Sequence, residues 1–297
     1  MRDRLRFLAF GGALVVLFGV ALGIGTLVGD HGERAPDTAM PSMGDAHHGL
    51  AQSESGYTLA DLTAPSAPNQ LGRMQFRITG PGGEPVTRFD TLHDKQLHLI
   101  VVRTDTTEFR HVHPTMDAEG TWSLDWTWAQ PGTYRVYADF APDSVTENPG
   151  ELVLSRTVEV AGTATPQPIP APSRTATVDG YQVSLVGDLS TAGSELTFTV
   201  SRDGAPVTDL SPYLGAYAHL VALRVDDLAY LHVHPEGAVG STPAGPEVAF
   251  HAQAPGPAAY RLYLDFSHGG TVHTAEFTAH AESPAVRQSS GRHQHEG

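Results

Sequence analysis

The sequence contains no cysteine. Disulfide bonds, thiolate metal sites such as blue-copper centres, and anchors built on a lipidated cysteine are therefore excluded. Basic residues are also scarce, with 18 Lys and Arg against 33 Asp and Glu and a formal net charge of −15. Nucleic acids and anionic lipid surfaces are bound through a basic face, so neither is expected as a partner.

One long uncharged run occurs at the N-terminus, from Phe7 to Gly29. These 23 residues would span about 35 Å as a helix, enough to cross a bilayer. Three arginines within the first six residues precede the run, and such residues keep the N-terminus in the cytoplasm. We therefore expect residues 1–30 to form an uncleaved single-pass anchor, with a cleaved signal peptide as the alternative, and the remaining chain to be extracytoplasmic.

Residues 31–55 lack any hydrophobic periodicity and are rich in Gly, Ala, Ser and Pro, which predicts a flexible linker. The linker holds Met40, Met43, His47 and His48. Thioether and imidazole groups together suit copper. The alternative is a linker that merely happens to contain these residues.

Short strand candidates, separated by Gly, Pro and Asp clusters, fill residues 56–162 and recur in residues 175–281. This pattern indicates β-sandwiches. Between them, residues 163–174 carry proline at alternate positions, which favours an extended spacer. Residues 282–297 have the composition of a disordered tail. We predict an all-β protein with two tandem Ig-like or cupredoxin-like β-sandwiches, each able to fold alone, after one N-terminal transmembrane helix.

The clearest pattern is an internal repeat that contains histidine. The segment LHLIVVRTDTTEFRHVHP at 97–114 returns 121 residues later, without a gap, as AHLVALRVDDLAYLHVHP at 218–235. Since residues i and i+2 of a strand face the same side, each His-x-His aims two imidazoles the same way. A two-residue turn in each segment would pair positions whose numbers add up to 211 and 453. This register gathers two sets of histidines, namely His98, His111 and His113, and then His219, His232 and His234.

Two aspartates recur at matching positions of a later strand, Asp139 in YRVYADF and Asp265 in YRLYLDF. In an Ig-like sandwich this strand neighbours the one that carries the first histidine, so each aspartate would ligate the metal or orient a ligand ring of its own repeat. Three imidazoles and one carboxylate suit Cu(II), Zn(II) or Ni(II), and intrinsic affinity favours copper. The predicted metal ligands are His98, His111, His113 and Asp139 in the first repeat, and His219, His232, His234 and Asp265 in the second.

A structural role for these histidines is the alternative interpretation. His98 and His219 lie in strongly apolar segments, where a buried imidazole can simply bond to the backbone. The His-Val-His-Pro sequence could also end a strand for reasons of packing.

The most specific segments are HLIVVRTD…HVHP, DLSPYLGAYAHLVAL…AYLHVHPEG and YRLYLDF. With them the chain resembles the membrane-anchored, extracytoplasmic Ig-like proteins of actinobacteria that carry a His-Val-His-Pro hairpin in each half. The resemblance extends from the anchor to Ala281. It implies a role associated with heavy metals or copper.

Together these observations predict a membrane-anchored, extracytoplasmic protein that binds copper, with zinc or another divalent metal as the alternative. Buffering, sensing and handover of the metal to a protein partner are the roles that such a protein would perform. The alternative is an extracytoplasmic ligand- or protein-binding Ig-like module with structural histidines. An enzyme is not expected, because no Ser or Cys nucleophile motif stands out and no pair of carboxylates recurs.

Overall fold

The computed structural model describes residues 48–143, 149–231, 233–237 and 239–283, with His234 described by its backbone alone. The regular elements within these ranges are all β-strands, and no helix there is long and apolar enough to cross a membrane. The predicted anchor, most of the predicted linker and nearly all of the predicted tail lie outside the described residues.

Nineteen strands are formed by the described residues, nine in the first repeat and ten in the second. The first repeat contains β1 (Ser53–Glu54), β2 (Tyr57–Thr63), β3 (Gly72–Thr79), β4 (His98–Arg103), β5 (Arg110–Val112), β6 (Thr115–Met116), β7 (Thr121–Trp126), β8 (Gly132–Phe140) and β9 (Leu152–Val160). The second contains β10 (Thr175–Val178), β11 (Tyr181–Val186), β12 (Ser194–Arg202), β13 (Ala205–Pro206), β14 (Ala218–Arg224), β15 (Tyr230–Leu231), β16 (Val233–Pro235), β17 (Glu247–Ala252), β18 (Ala259–His268) and β19 (Thr271–His280).

Each repeat folds into two antiparallel sheets. Their strand orders are β1-β2-β3-β7-β6 and β5-β4-β8-β9 in the first repeat. In the second they are β10-β11-β12-β17-β16, with β13 on β12, and β15-β14-β18-β19. A separate apolar core lies in each repeat, built from alternate residues of its strands. This confirms the all-β architecture with a pair of sheets in each repeat.

A third apolar cluster joins the two repeats. It lies on the faces of β4-β8 and β14-β18 that point away from each repeat's own core. Phe109 of the first repeat stacks on Tyr263 of the second, with ring centroids 3.9 Å apart. Tyr263 also donates a hydrogen bond across the interface to the carbonyl oxygen of Thr106 at 2.6 Å. The sheet with His98 and His111 in the first repeat and the sheet with His219 and Asp265 in the second are therefore buried against each other. His234 lies on β16, in the other sheet of the second repeat.

The hairpin register agrees with the sequence, but the predicted two-residue turns are wrong. Ile100 pairs with His111, and Leu223 pairs with Tyr230, as the predicted registers require. The loops are longer than two residues because an aspartate stabilises each of them. In the first hairpin, Asp105 accepts two hydrogen bonds from the guanidinium of Arg103, at 2.7 and 2.9 Å. Asp105 Oδ1 also accepts from the backbone amide of Thr107 at 3.2 Å, a local bond of the kind that stabilises turns and loops.

Residues 48–55, at the end of the predicted linker, include β1 and make hydrogen bonds with the rest of the chain. The carbonyl of Gly49 accepts from Ser155 Oγ at 2.6 Å, and the carbonyl of His48 accepts from the Tyr230 amide at 2.7 Å. The segment therefore bonds to both repeats. A polar composition gives no sign of such backbone hydrogen bonds, which is why the sequence did not reveal them.

Candidate metal centre

The β4-β5 hairpin brings three histidines to one point. His98 begins β4, His111 lies in β5, and His113 follows two residues later on the same face. His98 Nδ1 lies 2.9 Å from His111 Nε2 and 3.2 Å from His113 Nε2. The three ligand atoms lie within 4.8 Å of one another, and among the described residues this is the group of such side chains that could hold a metal ion. The predicted clustering of the first set is therefore confirmed.

The outer nitrogens of two rings fix how the inner nitrogens face the cluster. His98 Nε2 donates to the carbonyl oxygen of Leu92 at 3.0 Å, and His111 Nδ1 donates to Asp265 Oδ2 at 2.9 Å. A carbonyl or carboxylate oxygen only accepts, so each outer nitrogen carries the proton. The inner nitrogens, His98 Nδ1 and His111 Nε2, then face each other across 2.9 Å. Metal-ligating histidines are oriented in this way, by a backbone carbonyl or a carboxylate on the far nitrogen.

Asp265 contacts the first histidine set, although the sequence assigned it to the second. Its Oδ2 accepts from His111, while its Oδ1 accepts from Thr274 Oγ1 at 2.6 Å. The carboxylate is 2% exposed and its position is therefore fixed. Because the two repeats pack face to face, an aspartate that points away from its own core meets a histidine of the other repeat. Nothing in one repeat's sequence encodes that contact. The predicted role of Asp265 in the second set stays a prediction.

Asp139 lies beside the cluster rather than within it. It pairs with His98 across the β4-β8 ladder, as the sequence predicted. Its Oδ2 accepts from the hydroxyl of Tyr230, a residue of the second repeat, at 3.2 Å. Asp139 and Asp265 thus each contact a side chain of the opposite repeat. A role for Asp139 as a direct ligand stays a prediction.

The second histidine set is described only in part. His219 Nε2 donates to the carbonyl oxygens of Tyr213 and Leu214, both at 3.1 Å, much as His98 donates to Leu92. His219 pairs with Asp265 across the β14-β18 ladder. His232 and the side chain of His234 lie outside the described part of the chain. The second site therefore stays a prediction.

Burial keeps the rings of His98, His113 and His219 neutral. Desolvation, helped by repulsion from His111, lowers the pKa of His98 from 6.5 to about 4. The same causes, in the same order, lower the pKa of His113 to about 3 and that of His219 to about 4. Since a metal binds the unprotonated imidazole, the rings are in the ligating form at neutral pH.

The repeat comparison missed two side chains that line a small cavity next to the cluster, His93 and Glu151. His93 is exposed, and its ring centroid lies 5.1 Å from that of His219 and 6.1 Å from that of His98. His93 occurs in the first repeat alone, and the corresponding position of the second repeat is Leu214. A comparison that selects shared residues could not find it; its only sequence signal is its closeness to His98 in the chain.

Three solved structures resemble this chain only distantly. Invasin, a bacterial integrin-binding protein, is 12% identical with a TM-score of 0.22, over 75% of this chain and 39% of invasin. Domains 4 and 5 of the S-layer protein SbsC are 8% identical with a TM-score of 0.21, over 76% of this chain and 96% of theirs. A protein of Corynebacterium diphtheriae described as membrane anchored is 11% identical with a TM-score of 0.21, over 76% and 60% of the two chains. At these values the likenesses carry no functional information.

The family comparison covers both repeats. No curated protein matches the sequence. The family model described as "Domain of unknown function (DUF8832)" matches residues 52–149 and 176–283, one segment in each repeat and well over half of the chain. The chain therefore belongs to the DUF8832 family.

Proposed function

We propose that this protein binds a divalent metal ion, copper before zinc, through His98, His111 and His113. The observation that carries the proposal is the convergence of three imidazole nitrogens, two of them turned inward by acceptors on the far side of the ring. A cation placed between the rings would accept all three lone pairs.

A proton shared between His98 and His111 is the competing explanation, in which the cluster is purely structural. One proton would form one hydrogen bond, between His98 and His111. His113 Nε2, which lies 3.2 Å from the same His98 Nδ1, would then have no proton to share with it. The lowered pKa values of His98 and His113 also leave both rings unprotonated at neutral pH, the form that a metal binds. Both points support a metal ion.

The donor atoms of the site limit which metal ions it can bind. Three imidazoles with a carboxylate behind one of them form a borderline nitrogen site, suited to Cu(II), Zn(II) or Ni(II). Intrinsic affinity places copper first. Calcium and magnesium prefer oxygen ligands and do not match the donor set.

The wider setting of the site follows from the sequence. Residues 1–30 would anchor the protein in the membrane, with the two β-sandwiches, of Ig-like or cupredoxin-like type, on the outer side. The three arginines before the apolar run support that location. In this setting the protein would buffer or sense the metal or hand it to a protein partner, and would not act as an enzyme. If the histidines proved structural, a ligand- or protein-binding module would be the second candidate.

Metal analysis of the purified full-length chain tests the proposal. After removal of metal and addition of Cu(II) or Zn(II), the double variant His111→Ala, His113→Ala should retain about one ion fewer per chain than the wild type. His280→Ala, which removes an exposed histidine from the far end of β19, is the matched control and should bind as the wild type does. Emission of the buried Trp122 and Trp126 reports whether each variant is folded. Equal metal uptake by the folded double variant would show that these histidines are structural and do not bind the metal.

A further inference from the structure

His111 belongs to the histidine cluster and to the interface between the repeats at the same time. Its Nε2 lies 2.9 Å from His98 Nδ1, and its Nδ1 donates to Asp265 Oδ2 of the second repeat, also at 2.9 Å. The contact is closed to solvent, since 5% of the His111 side chain and 3% of the Asp265 side chain are exposed. An ion bound at Nε2 would therefore act on a ring whose other nitrogen holds the second repeat.

The line of hydrogen bonds continues into the second repeat. Asp265 lies on β18 and pairs with Thr274 of the neighbouring β19. Its Oδ1 accepts from Thr274 Oγ1 at 2.6 Å, while its Oδ2 accepts from His111. The carboxylate is thus held on both oxygens. We call the three side chains His111, Asp265 and Thr274 the relay.

A metal ion on the cluster would strengthen the bond that crosses the interface. A cation on Nε2 withdraws electron density from the imidazole, so the Nδ1–H becomes a stronger donor to the carboxylate. Loss of such a carboxylate partner typically lowers metal affinity by about 10- to 100-fold. By thermodynamic linkage, the factor by which the contact with Asp265 raises metal affinity is also the factor by which bound metal favours the contact.

The other contacts of the interface set the equilibrium on which the ion would act. They include the third apolar cluster and two hydrogen bonds from tyrosine hydroxyls to backbone carbonyls. Tyr263 donates to Thr106 at 2.6 Å, and Tyr137 donates to Leu228 at 2.5 Å. Since each repeat has an apolar core of its own, separation of the two faces does not by itself break either core.

We infer that bound metal regulates the packing of the two repeats through the relay. The inference rests on the proposed function, because His111 is one of the three proposed ligands. The metal-free protein opens at the interface more often, and the metal-bound protein stays closed, with the equilibrium shifted by about 10- to 100-fold. Among the proposed roles this coupling serves sensing, because occupancy of the site changes the exposure of an apolar face.

A single engineered thiol can report on the interface, because the chain contains no cysteine. Val102 is 0% exposed in the third apolar cluster. It lies four residues along β4 from His98, about 13 Å, which is too far for its side chain to be a ligand. In the metal-free full-length protein, Val102→Cys should react with iodoacetamide at a rate that follows the opening of the interface.

Zn(II) is the metal probe, added to this variant in detergent. Saturating Zn(II) should slow alkylation by about 10- to 100-fold, and the effect should then level off, because the open protein still binds the ion, only more weakly. Stabilisation of the fold alone would instead keep growing with the Zn(II) concentration. Leu223→Cys, in the same cluster on the second repeat, is the second reporter if tryptophan emission shows that Val102→Cys is unfolded.

Asp265→Asn in the reporter background tests the relay itself. The neutral amide cannot form the charge-assisted bond, so most of the slowing should be lost at a Zn(II) concentration that saturates this variant. His280→Ala in the same background is the matched control and should keep the full effect.

The outcomes separate the two proposals. Zn(II) that is bound by metal analysis but leaves the alkylation rate unchanged overturns the coupling and keeps the proposed function. Slowing that is equally large in Asp265→Asn, or that never levels off, also overturns the coupling. Absence of bound Zn(II) overturns the proposed function and this inference together.

Discussion

His98 and His111 are each held by an acceptor on the far side of the ring, and this decides what the cluster can bind. Leu92 supplies a backbone carbonyl to the first, and Asp265 supplies a carboxylate to the second. The convergence of the inner nitrogens is the consequence. At the scale of single residues, the metal proposal therefore depends on partners as much as on the ligands.

Asp265→Asn tests that dependence. The amide is isosteric and loses the negative charge that orients and polarises His111, so metal affinity should fall by about 10- to 100-fold while the protein still folds. Competition with a chelator of known affinity measures the change. Asp179→Asn is the matched control, because Asp179 accepts from His273 at 2.8 Å in a similar pair outside the cluster. Equal affinities in the two variants would show that Asp265 has no part in metal binding.

Protonation of the buried rings gives a second residue-scale prediction. At pH values above 6.5, His98, His113 and His219 are neutral both in the folded and in the unfolded chain. Their folded pKa values are lowered to about 4, 3 and 4. As the pH falls below 6.5 the unfolded chain takes up protons that the folded chain resists, so the free energy of unfolding decreases until about pH 4. The urea midpoint in excess chelator should be lower at pH 5 than at pH 7; equal midpoints would contradict the burial of these rings.

The ligand residues were largely predictable from the sequence, and their partners were not. Duplication within one chain singled out His98, His111 and His113, because a β-sandwich core has no need for polar residues at those positions. His93 escaped because it is not duplicated, and the contact of Asp265 with His111 was not predicted because it crosses the interface. Contacts between repeats leave no periodicity in the sequence.

At the scale of elements, the β4-β5 hairpin carries the histidine cluster. The segment before β1 makes hydrogen bonds to both repeats. The strand register was predictable, since the spacing of side chains along a strand is fixed. The loop lengths could not be predicted, because they depend on hydrogen bonds such as those of Asp105. The polar composition of the segment that begins at His48 gave no sign of its hydrogen bonds to both repeats.

Gly49→Ala tests the role of that segment. Gly49 has a φ of +69°, and a Cβ there would lie 2.8 Å from Val153 Cγ1 and 2.9 Å from Tyr230 Cβ. The backbone strain and the overlap should together lower the free energy of unfolding by about 2–4 kcal/mol. Gly180→Ala is the matched control, because Gly180 has a φ of +82° with nothing within 4 Å of its Cβ position. If both variants lost the same stability in urea, the segment would not be packed between the repeats.

At the scale of the whole molecule, the two repeats present their histidine-bearing sheets to each other. Each repeat has its own apolar core, as a unit that folds alone needs. Independent folding of each repeat stays a prediction. The third cluster and the cross-repeat hydrogen bonds of Tyr230 and Tyr263 join them. Two similar sandwiches were predictable from the sequence. Their face-to-face packing was not, because the apolar residues of the interface look like ordinary core.

Separate fragments 56–162 and 175–281 test this arrangement. Each should fold and expose the apolar face that the other covers, so that they associate when mixed, as sedimentation velocity would show. The fragment 56–162 keeps the three proposed ligands but lacks Asp265, so it should bind metal about 10- to 100-fold more weakly than the intact chain. Addition of the second fragment should restore the affinity. Fragments that remain monomeric at high concentration would contradict the interface.

Anomalous diffraction from crystals loaded with Zn(II) tests the central claim most directly. The proposal predicts a peak about 2.0–2.1 Å from each of His98 Nδ1, His111 Nε2 and His113 Nε2, the usual zinc–nitrogen distance. His98 should ligate through Nδ1, since its Nε2 bonds to the Leu92 carbonyl. A well-ordered cluster with no peak, or a peak on the opposite ring nitrogens, would contradict metal binding at this site.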